Sequence, residues 1–206
     1  MHKIFQVLHS EEYRRELRRK SIHLSSLWMP ALIYFAPKAV SVLLFAVILA
    51  GDIILEYGNY KKWKWATKLF GIFSSTLRKK ETQHDHFVPT GSVYVLSAAL
   101  LCSLFFSKPV AAIALSVMLI ADIFAALIGK LFGKHKIYRE KSMEGSGAFF
   151  ISALLVMLLL SPIYQFSWAC VVACVVATLA ELFESALKID DNLSIPAVIG
   201  IILSVF

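Results

Sequence analysis

The sequence has few cysteines, and none of them stands in a pattern that carries chemistry. Its 206 residues include Cys102, Cys170 and Cys174, and all three lie inside apolar segments. No second partner stands at zinc-ligand spacing in a polar loop, so we interpret them as buried apolar side chains. The sequence therefore predicts neither a disulfide nor a zinc site. It also lacks a small-residue cleavage site after the first apolar segment, which we therefore expect to be retained.

Polar residues are scarce as well. Hydrophobic residues make up 58% of the chain, against roughly 45–50% in a soluble domain. The mean hydropathy is +0.70, and several apolar runs approach the ~20 residues that cross a bilayer. No run alternates with the two-residue period of an outer-membrane barrel. We therefore expect an all-α, multi-pass membrane protein with a single catalytic domain over residues 1–206.

The apolar runs predict about seven transmembrane helices. Short turns at Pro37, Pro109 and Pro162 separate some of them, and polar loops separate the others. The expected spans are approximately residues 21–36, 39–57, 88–106, 109–128, 145–160, 163–187 and 195–206.

The positive charges are distributed unevenly between the two predicted faces. Of 21 lysines and arginines, only Lys38 and Lys108 fall on one face. The positive-inside rule then places the N-terminus and all long loops in the cytoplasm. Those loops are the basic segment 1–20, the segment 58–87, which is predicted to be amphipathic, and the loop 129–145. The host would be a bacterial or archaeal plasma membrane, or the endoplasmic reticulum in a eukaryote. The net charge of +7 fits lipid headgroups, and no soluble basic module indicates a nucleic-acid partner.

Seven acidic residues lie in or at the ends of predicted spans. A charge at the centre of a span costs about 2.5–3.5 kcal/mol, and the topology places every one toward the cytoplasm. Carboxylates at the water-accessible ends of spans, near cations that bind phosphate, are typical of Mg²⁺–nucleotide sites. The alternative is that single acids form structural ion pairs, as Glu184 could with Lys188. The seven residues are Asp52, Glu56, Asp122, Glu144, Glu181, Glu184 and Asp191.

The stretch 121–146 combines an acid, glycines and lysines between two apolar runs. It does not match a Walker A loop, because three residues rather than four separate Gly129 from Gly133. The same spacing could instead be a helix-packing motif. We expect the loop to hold a polyphosphate, with cations supplied by Lys130, Lys134 and Lys141.

Other polar residues are weaker candidates. His84-Asp85-His86 has the residue types of a metal chelate, although histidines in a polar loop are more often solvated. His23 lies four residues after Arg19 and could share its helix face. Thr90-Gly91 follows a proline and is typical of a helix start. We expect a group of residues to line a substrate site: His23, Asp52, Glu56, Thr90, Gly91 and Asn192.

Five motifs follow one another along the chain. They are Arg18–His23, Gly91–Tyr94, Asp122–Lys130 with Gly133–Lys134, Lys141–Ser146, and Glu184–Ser185 with Asp190–Pro196. In this order they resemble the CTP-dependent lipid-alcohol kinases, which include dolichol kinase, phytol kinase and the CTP-using diacylglycerol kinase. The family is distantly similar to phosphatidate cytidylyltransferases. That enzyme's signature, a Gly-His-Gly-Gly run followed by Asp-Arg-x-Asp, is absent here, which favours the kinase.

The resemblance implies phosphoryl transfer from CTP, with Mg²⁺, to a membrane-embedded alcohol. It implies catalytic roles for Asp122, Lys141 and Asp191. We expect Asp122, Glu184 and Asp191 to hold the metal. The expected CTP-binding residues are Arg19, Lys20, Gly129, Lys130, Lys134, Lys141, Ser142 and Gly145.

Four questions stay open at this stage. A polyprenol such as dolichol, phytol and diacylglycerol are all possible acceptors, and the general base is not assigned among the carboxylates. A phosphatidate cytidylyltransferase is the alternative enzyme, and an ion or proton transporter is the alternative without catalysis. The oligomeric state has no signal in the sequence.

Overall fold

The structure is a computed structural model that describes residues 8–73 and 87–206. Over these residues the chain forms α-helices and one small antiparallel hairpin. The helices are α1 (Glu11–Ser25), α2 (Trp28–Phe35), α3 (Lys38–Tyr60), α4 (Lys64–Phe73), α5 (Gly91–Phe105), α6 (Lys108–Phe132), α7 (Met143–Leu159), α8 (Trp168–Leu182), α9 (Glu184–Leu187) and α10 (Asp191–Val205). The hairpin pairs β1 (Lys136–Tyr138) with β2 (Lys141–Ser142). The prediction of an all-α fold is confirmed.

Helix α6 is the centre of the bundle. Its residues 110–119 are all buried, and small alanines alternate there with larger residues such as Ile113 and Met118. Small side chains allow neighbouring helices to approach closely. α6 packs most extensively against α7 and also contacts α1, α2 and α10. Pro109 lies in its first turn, where a missing N–H costs no helical hydrogen bond.

Two helices are long and apolar enough to cross a membrane. α3 has 23 residues and α6 has 25, which at 1.5 Å per residue gives about 35 and 38 Å, against ~30 Å of hydrocarbon. Four shorter apolar helices, α5, α7, α8 and α10, have 15 to 17 residues each. These properties support membrane association, but helix length alone does not give the predicted seven spans.

The first predicted span is divided differently in the structure. The basic segment and the start of that span form one helix, α1, which Ser10 caps by accepting the N–H of Tyr13. The helix ends where the hydroxyls of Ser25 and Ser26 donate back to the carbonyl of Ile22. Side-chain bonds of this kind compete with helix continuation. A second short helix, α2, completes the segment.

The polar loops also differ from the prediction. Helix α6 continues to Phe132, so Gly129 and Lys130 are helical, and the hairpin occupies residues 136–142 of the predicted 129–145 loop. Within the segment 58–87, α3 extends to Tyr60 and α4 follows, while residues 74–86, including His84–His86, lie outside the described residues. Near the C-terminus, α8 begins at Trp168 and α10 begins at Asp191 rather than at residues 163 and 195.

Candidate functional site

A buried ion pair joins the N-terminal helix to the centre of the bundle. Lys20 on α1 donates from Nζ to Asp122 Oδ2 on α6. Both side chains are almost fully buried, and His23 Nε2 lies 3.3 Å from the same carboxylate oxygen. The predicted site residues Lys20, His23 and Asp122 therefore meet in space, although about 100 residues separate them in sequence.

Glu16 connects this pair to further cations. Arg19 Nη2 donates to Glu16 Oε1 at 2.6 Å, and Lys20 Nζ lies 3.9 Å from the same oxygen. Lys130 Nζ approaches Glu16 at 3.8 Å and Glu12 at 3.0 Å. Three predicted CTP-binding cations thus lie near one acidic side chain. Glu16 was not among the predicted site residues, although its spacing of three and four residues from Arg19 and Lys20 is the available signal.

A second cluster surrounds Lys141 on β2. Its Nζ donates to Glu181 Oε1 on α8. Glu184 and Asp191 oxygens lie 3.7 and 3.9 Å from the same nitrogen. Burial alone would lower the pKa of Lys141, but Glu181 and Asp191 outweigh it and raise the pKa above the usual lysine value. Lys141 is therefore a charged ammonium that holds three carboxylates together.

Three carboxylates in this region could hold a metal ion. Oxygen atoms of Glu184, Asp190 and Asp191 all lie within 4.8 Å of one another. An all-carboxylate set is the chemistry that Mg²⁺ prefers, so these residues fit a magnesium ion. The predicted set included Glu184 and Asp191 but had Asp122 in place of Asp190. Asp122 instead pairs with Lys20, although it is close enough to interact electrostatically with both Asp191 and Glu181.

The start of α10 fixes the orientation of Asn192. Asp190 caps the helix, and its Oδ1 accepts the Asn192 backbone N–H at 3.2 Å and Nδ2 at 2.6 Å. The Nδ2 bond assigns the amide orientation, so the outer atom is the acceptor Oδ1. That oxygen is buried and has no hydrogen-bond partner among the described residues. The start of α10 therefore places Asp191 in the cluster around Lys141 and Asn192 in the wall of a cavity, which is described below.

A third polar group joins α3 to the start of α5. Glu56 accepts both the backbone N–H of Thr90, at 3.1 Å, and the Thr90 hydroxyl. Asp52, one turn earlier, accepts the hydroxyl of Ser92 at 2.7 Å. A carboxylate at a helix N-terminus binds unpaired N–H groups there, so Glu56 anchors α5. Ser92 was not predicted as a site residue.

A cavity of about 590 Å³ joins these groups. Its polar wall contains side chains from five helices, and its remaining wall is apolar. The polar lining is Arg19, Lys20, His23, Asp52, Glu56, Thr90, Ser92, Asp122 and Asn192; Gly91 also lines it. The apolar lining includes Ile22, Trp28, Met29, Ile48, Leu55, Phe70, Val95 and Leu96. The predicted substrate-lining residues are thus all found around one cavity.

The remaining predicted residues lie around the hairpin. Ser142 caps α7 by accepting the N–H of Gly145 at 3.2 Å. A Cβ on Gly145 would lie 3.2 Å from the Cα of Gly129 and 3.1 Å from the Ala125 carbonyl oxygen. The two glycines therefore permit close contact between α6 and α7, rather than forming an open phosphate cradle. Lys134 is exposed beside them.

Glu144 differs from the expectation that it joins the other membrane acids. Its carboxylate accepts the backbone N–H groups of Lys134 and His135 and lies 2.7 Å from the His135 ring nitrogen Nδ1. Its own backbone N–H and the His135 ring hold the pKa of Glu144 at about 2. Glu144 thus fixes the hairpin to the start of α7.

Comparison with known proteins agrees with the sequence motifs. Residues 4–190 match the cytidylyltransferase family. An uncharacterised protein of Rickettsia prowazekii is 31% identical over 194 residues, which cover 91% of this chain and 92% of that protein. A protein of wheat, Triticum aestivum, named as a probable chloroplastic phytol kinase, is 31% identical over 123 residues. That match covers 52% of this chain and 40% of the wheat protein.

No solved structure matches the chain. The family match covers most of the sequence, including all the clusters described above except Asp191 and Asn192. The relative named as a phytol kinase confirms the resemblance to the CTP-dependent lipid kinases deduced from the motifs. The chain therefore belongs to the cytidylyltransferase family, and over about half of its length it is similar to the wheat protein named as a probable phytol kinase.

Proposed function

We propose that the protein is a CTP-dependent kinase that phosphorylates the hydroxyl of a membrane lipid alcohol. One observation carries the proposal. The Lys20–Asp122 pair and the Lys141 cluster, contributed by different helices, lie within electrostatic range of each other beside a cavity with an apolar wall. A phosphoryl donor and a lipid acceptor could meet there, because phosphoryl transfer requires chiefly positioning and charge neutralisation.

The cations would bind the triphosphate of CTP. Lys20 is buried, Arg19, Lys130 and Lys141 are partly exposed, and Lys134 lies at the surface. Four of them are paired with carboxylates in the structure, so the triphosphate would join existing ion-pair networks, and Mg²⁺ would offset the added negative charge. Exposed Lys134 could reach the nucleotide without giving up an ion pair in the described part of the chain.

Glu184, Asp190 and Asp191 would hold Mg²⁺, and Asp122 lies close enough to Asp191 to interact with it electrostatically. Bound Mg²⁺ would neutralise phosphate charge and polarise the transferred group. The residues of the chain orient the reactants: Lys141 keeps the carboxylates together, and Asp190 fixes the start of α10.

The transfer step follows from this arrangement. The acceptor oxygen forms a bond to the γ-phosphorus as the bond from that phosphorus to the β–γ bridging oxygen breaks. CDP leaves with the bonding electrons, and the hydroxyl proton passes to a nearby carboxylate. Asp122, which lines the cavity, and Asp191, which lies close to Asp122, are the carboxylates that could take up that proton.

We also propose that the chain spans the membrane about seven times, with the site facing the cytoplasm. The charged clusters lie at the C-terminal parts of α3, α6 and α8 and at the N-terminal parts of α5 and α10. Helices that alternate in direction bring these parts to one end of the bundle. The asymmetry of lysine and arginine in the sequence supports a cytoplasmic location for that end.

A phosphatidate cytidylyltransferase is the second candidate, because the matching family is named for cytidylyl transfer. The two reactions differ in which phosphorus is attacked. A kinase transfers the γ-phosphoryl group to the lipid and releases CDP. A cytidylyltransferase joins the α-phosphorus to a lipid phosphate and releases pyrophosphate.

The test uses CTP labelled at either position. Purified protein in mixed micelles receives γ-³²P- or α-³²P-labelled CTP together with a polyprenol, phytol, diacylglycerol or phosphatidate. The kinase proposal predicts lipid labelling from the γ position only, with one of the alcohols. Lipid labelling from the α position, with phosphatidate, would establish the second candidate and refute the first.

Asp122→Asn, which leaves the side-chain size unchanged, tests the role of Asp122, and Glu11→Gln is its matched control. We expect Asp122→Asn to abolish transfer while the protein remains inserted in the membrane and binds CTP. Glu11→Gln, an exposed acid on the same helix as Lys20, should retain full activity. Full activity in Asp122→Asn would remove Asp122 from the mechanism.

A further inference from the structure

The cavity beside the charged clusters has the composition of a lipid site. Its volume of about 590 Å³ lies within the ~300–1,000 Å³ typical of ligand pockets. Side chains of α1, α2, α3 and α5 form its apolar wall, and Phe70 of α4 adds to it. α4 carries Trp65, Leu69 and Ile72 exposed, as expected of a helix in the headgroup layer. An acyl or isoprenoid chain would be buried against this wall.

The charges on the polar wall distinguish between kinds of lipid head. Three carboxylates, Asp52, Glu56 and Asp122, line the cavity together with the cations Arg19 and Lys20. Both cations are already paired, with Glu16 and Asp122 respectively. In the described part of the chain, Asp52 and Glu56 bind only Thr90 and Ser92. The side of the cavity that Asp52 and Glu56 line is therefore negative, which disfavours a phosphate there and tolerates an uncharged hydroxyl.

An unpartnered acceptor lies in the same wall. Asn192 is 4% exposed, and its Oδ1 has no hydrogen-bond partner among the described residues. Pro196, four residues later in α10, cannot donate an N–H to the Asn192 carbonyl as a helix normally requires. Buried acceptors are nearly always satisfied, so a donor from a ligand would complete this position.

We propose that this cavity binds the acceptor lipid through an uncharged hydroxyl, which donates a hydrogen bond to Asn192 Oδ1, while Asp52 and Glu56 exclude lipids with a phosphate head. The inference rests on the proposed kinase function and gives its substrate class. Asn192 follows Asp191 directly, so the hydroxyl lies beside the carboxylates assigned to the metal. Asn192 recognises the acceptor, and Asp52 determines specificity.

The experiment measures binding without catalysis. A long-chain alcohol with a diazirine on its chain is photolysed with the purified protein in the absence of CTP, and labelled peptides are mapped by mass spectrometry. The unlabelled alcohol and the phosphate monoester of the same chain are then compared as competitors of the labelling. We expect the diazirine alcohol to label cavity residues of α2, α3 or α5. We expect the unlabelled alcohol to block this labelling at a concentration at least tenfold lower than the phosphate requires.

Two substitutions have opposite signatures. Asn192→Leu should weaken alcohol binding by about two- to tenfold, the range for one neutral hydrogen bond, and leave the KM for CTP unchanged. Asp52→Asn should leave alcohol binding unchanged and strengthen phosphate binding on the order of tenfold, as expected for a carboxylate within about 10 Å. Misfolding would weaken the binding of both the alcohol and the phosphate, so it would not produce these opposite effects.

A third variant tests the location. Ile48→Trp places an indole in the cavity and should abolish alcohol labelling, whereas Ile53→Trp, on an exposed face of the same helix, should not. Labelling outside the cavity, or tighter binding of the phosphate by the unmodified protein, would overturn the inference. Alcohol binding in the cavity without transfer from CTP would support the inference and refute the proposed kinase activity instead.

Discussion

The buried pair between Lys20 and Asp122 gives the sharpest test of the site. Lys20 is 3% and Asp122 7% exposed. Removing one member of such a pair leaves an uncompensated buried charge, which costs about 3–5 kcal/mol. We therefore expect Lys20→Met and Asp122→Leu each to lower the free energy of unfolding by that amount. His23, 3.3 Å from Asp122, can partly compensate for the loss of Lys20, so Asp122→Leu should be the more destabilising.

The double variant separates stability from function. Replacement of both charges by apolar side chains of similar size is often neutral or stabilising, so Lys20→Met combined with Asp122→Leu should regain most of the lost stability. The interaction energy from the double-mutant cycle should then exceed about 3 kcal/mol. All three variants should lack activity with CTP.

Unfolding by SDS titration in mixed micelles, followed by tryptophan fluorescence, measures these free energies. Single variants that cost less than about 1 kcal/mol would show that water screens the pair, as for surface ion pairs. That result would contradict a desolvated site beside the cavity. Activity in the double variant would show instead that the pair is only structural.

Three further predictions concern the hairpin and its surroundings. Gly145→Val should cost about 1–3 kcal/mol, because a larger side chain would force α6 and α7 apart, while Gly147→Ala, with open space around it, should be neutral; thermal unfolding compares them. Lys141→Met should abolish transfer and lower stability by about 3 kcal/mol or more, since it leaves acidic groups unpaired, and Lys141→Arg should retain more stability than Lys141→Met in the same assay. The pKa of Glu144 is lowered to about 2 from 4.5, so its contribution to stability should be complete above pH 4.5 and lost as the pH falls toward 2. The difference in stability between the unmodified protein and Glu144→Gln should therefore shrink as the pH is lowered through that range.

Local spacing was sufficient to predict part of the site. Asp52 and Glu56 are four residues apart, and a helix places such residues on one face; both line the cavity. The family motifs indicated that Lys20 and Asp122 are both functional, Lys20 for CTP and Asp122 for catalysis and the metal. Their ion pair was not predicted, because no spacing rule relates residues so distant in the chain.

The glycines show where the sequence was ambiguous. Gly129-xxx-Gly133 fits both a phosphate-binding loop and a helix contact, and only tertiary structure distinguishes them. In the structure, Gly129 and Gly145 lie against each other across α6 and α7. The hairpin was also not predicted, because its strands have two and three residues, too few for a periodic pattern.

The membrane topology stays a prediction for a similar reason. Four apolar helices have 15 to 17 residues, about 22–26 Å at 1.5 Å per residue, which is shorter than the ~30 Å hydrocarbon layer. Helices of this length cross a membrane only if the bilayer thins or flanking residues reach the interface. Their depth in the membrane therefore depends on neighbouring helices and lipids, neither of which the sequence specifies.

Stability alone does not explain why this bundle buries charge. Apolar residues could replace the Lys20–Asp122 pair with little loss of stability, and the same reasoning applies to Lys141 with Glu181. Glu56 and Asp190 each satisfy a helix N-terminus, but a serine or threonine could do so without a charge. These groups surround one cavity or lie directly beside it. If the buried charges were purely structural, they would be expected at unrelated positions in the bundle. A phosphoryl-transfer site requires positive and negative side chains close together at one position. The double variant distinguishes the two explanations, because a structural pair can be replaced without loss of activity and a catalytic one cannot.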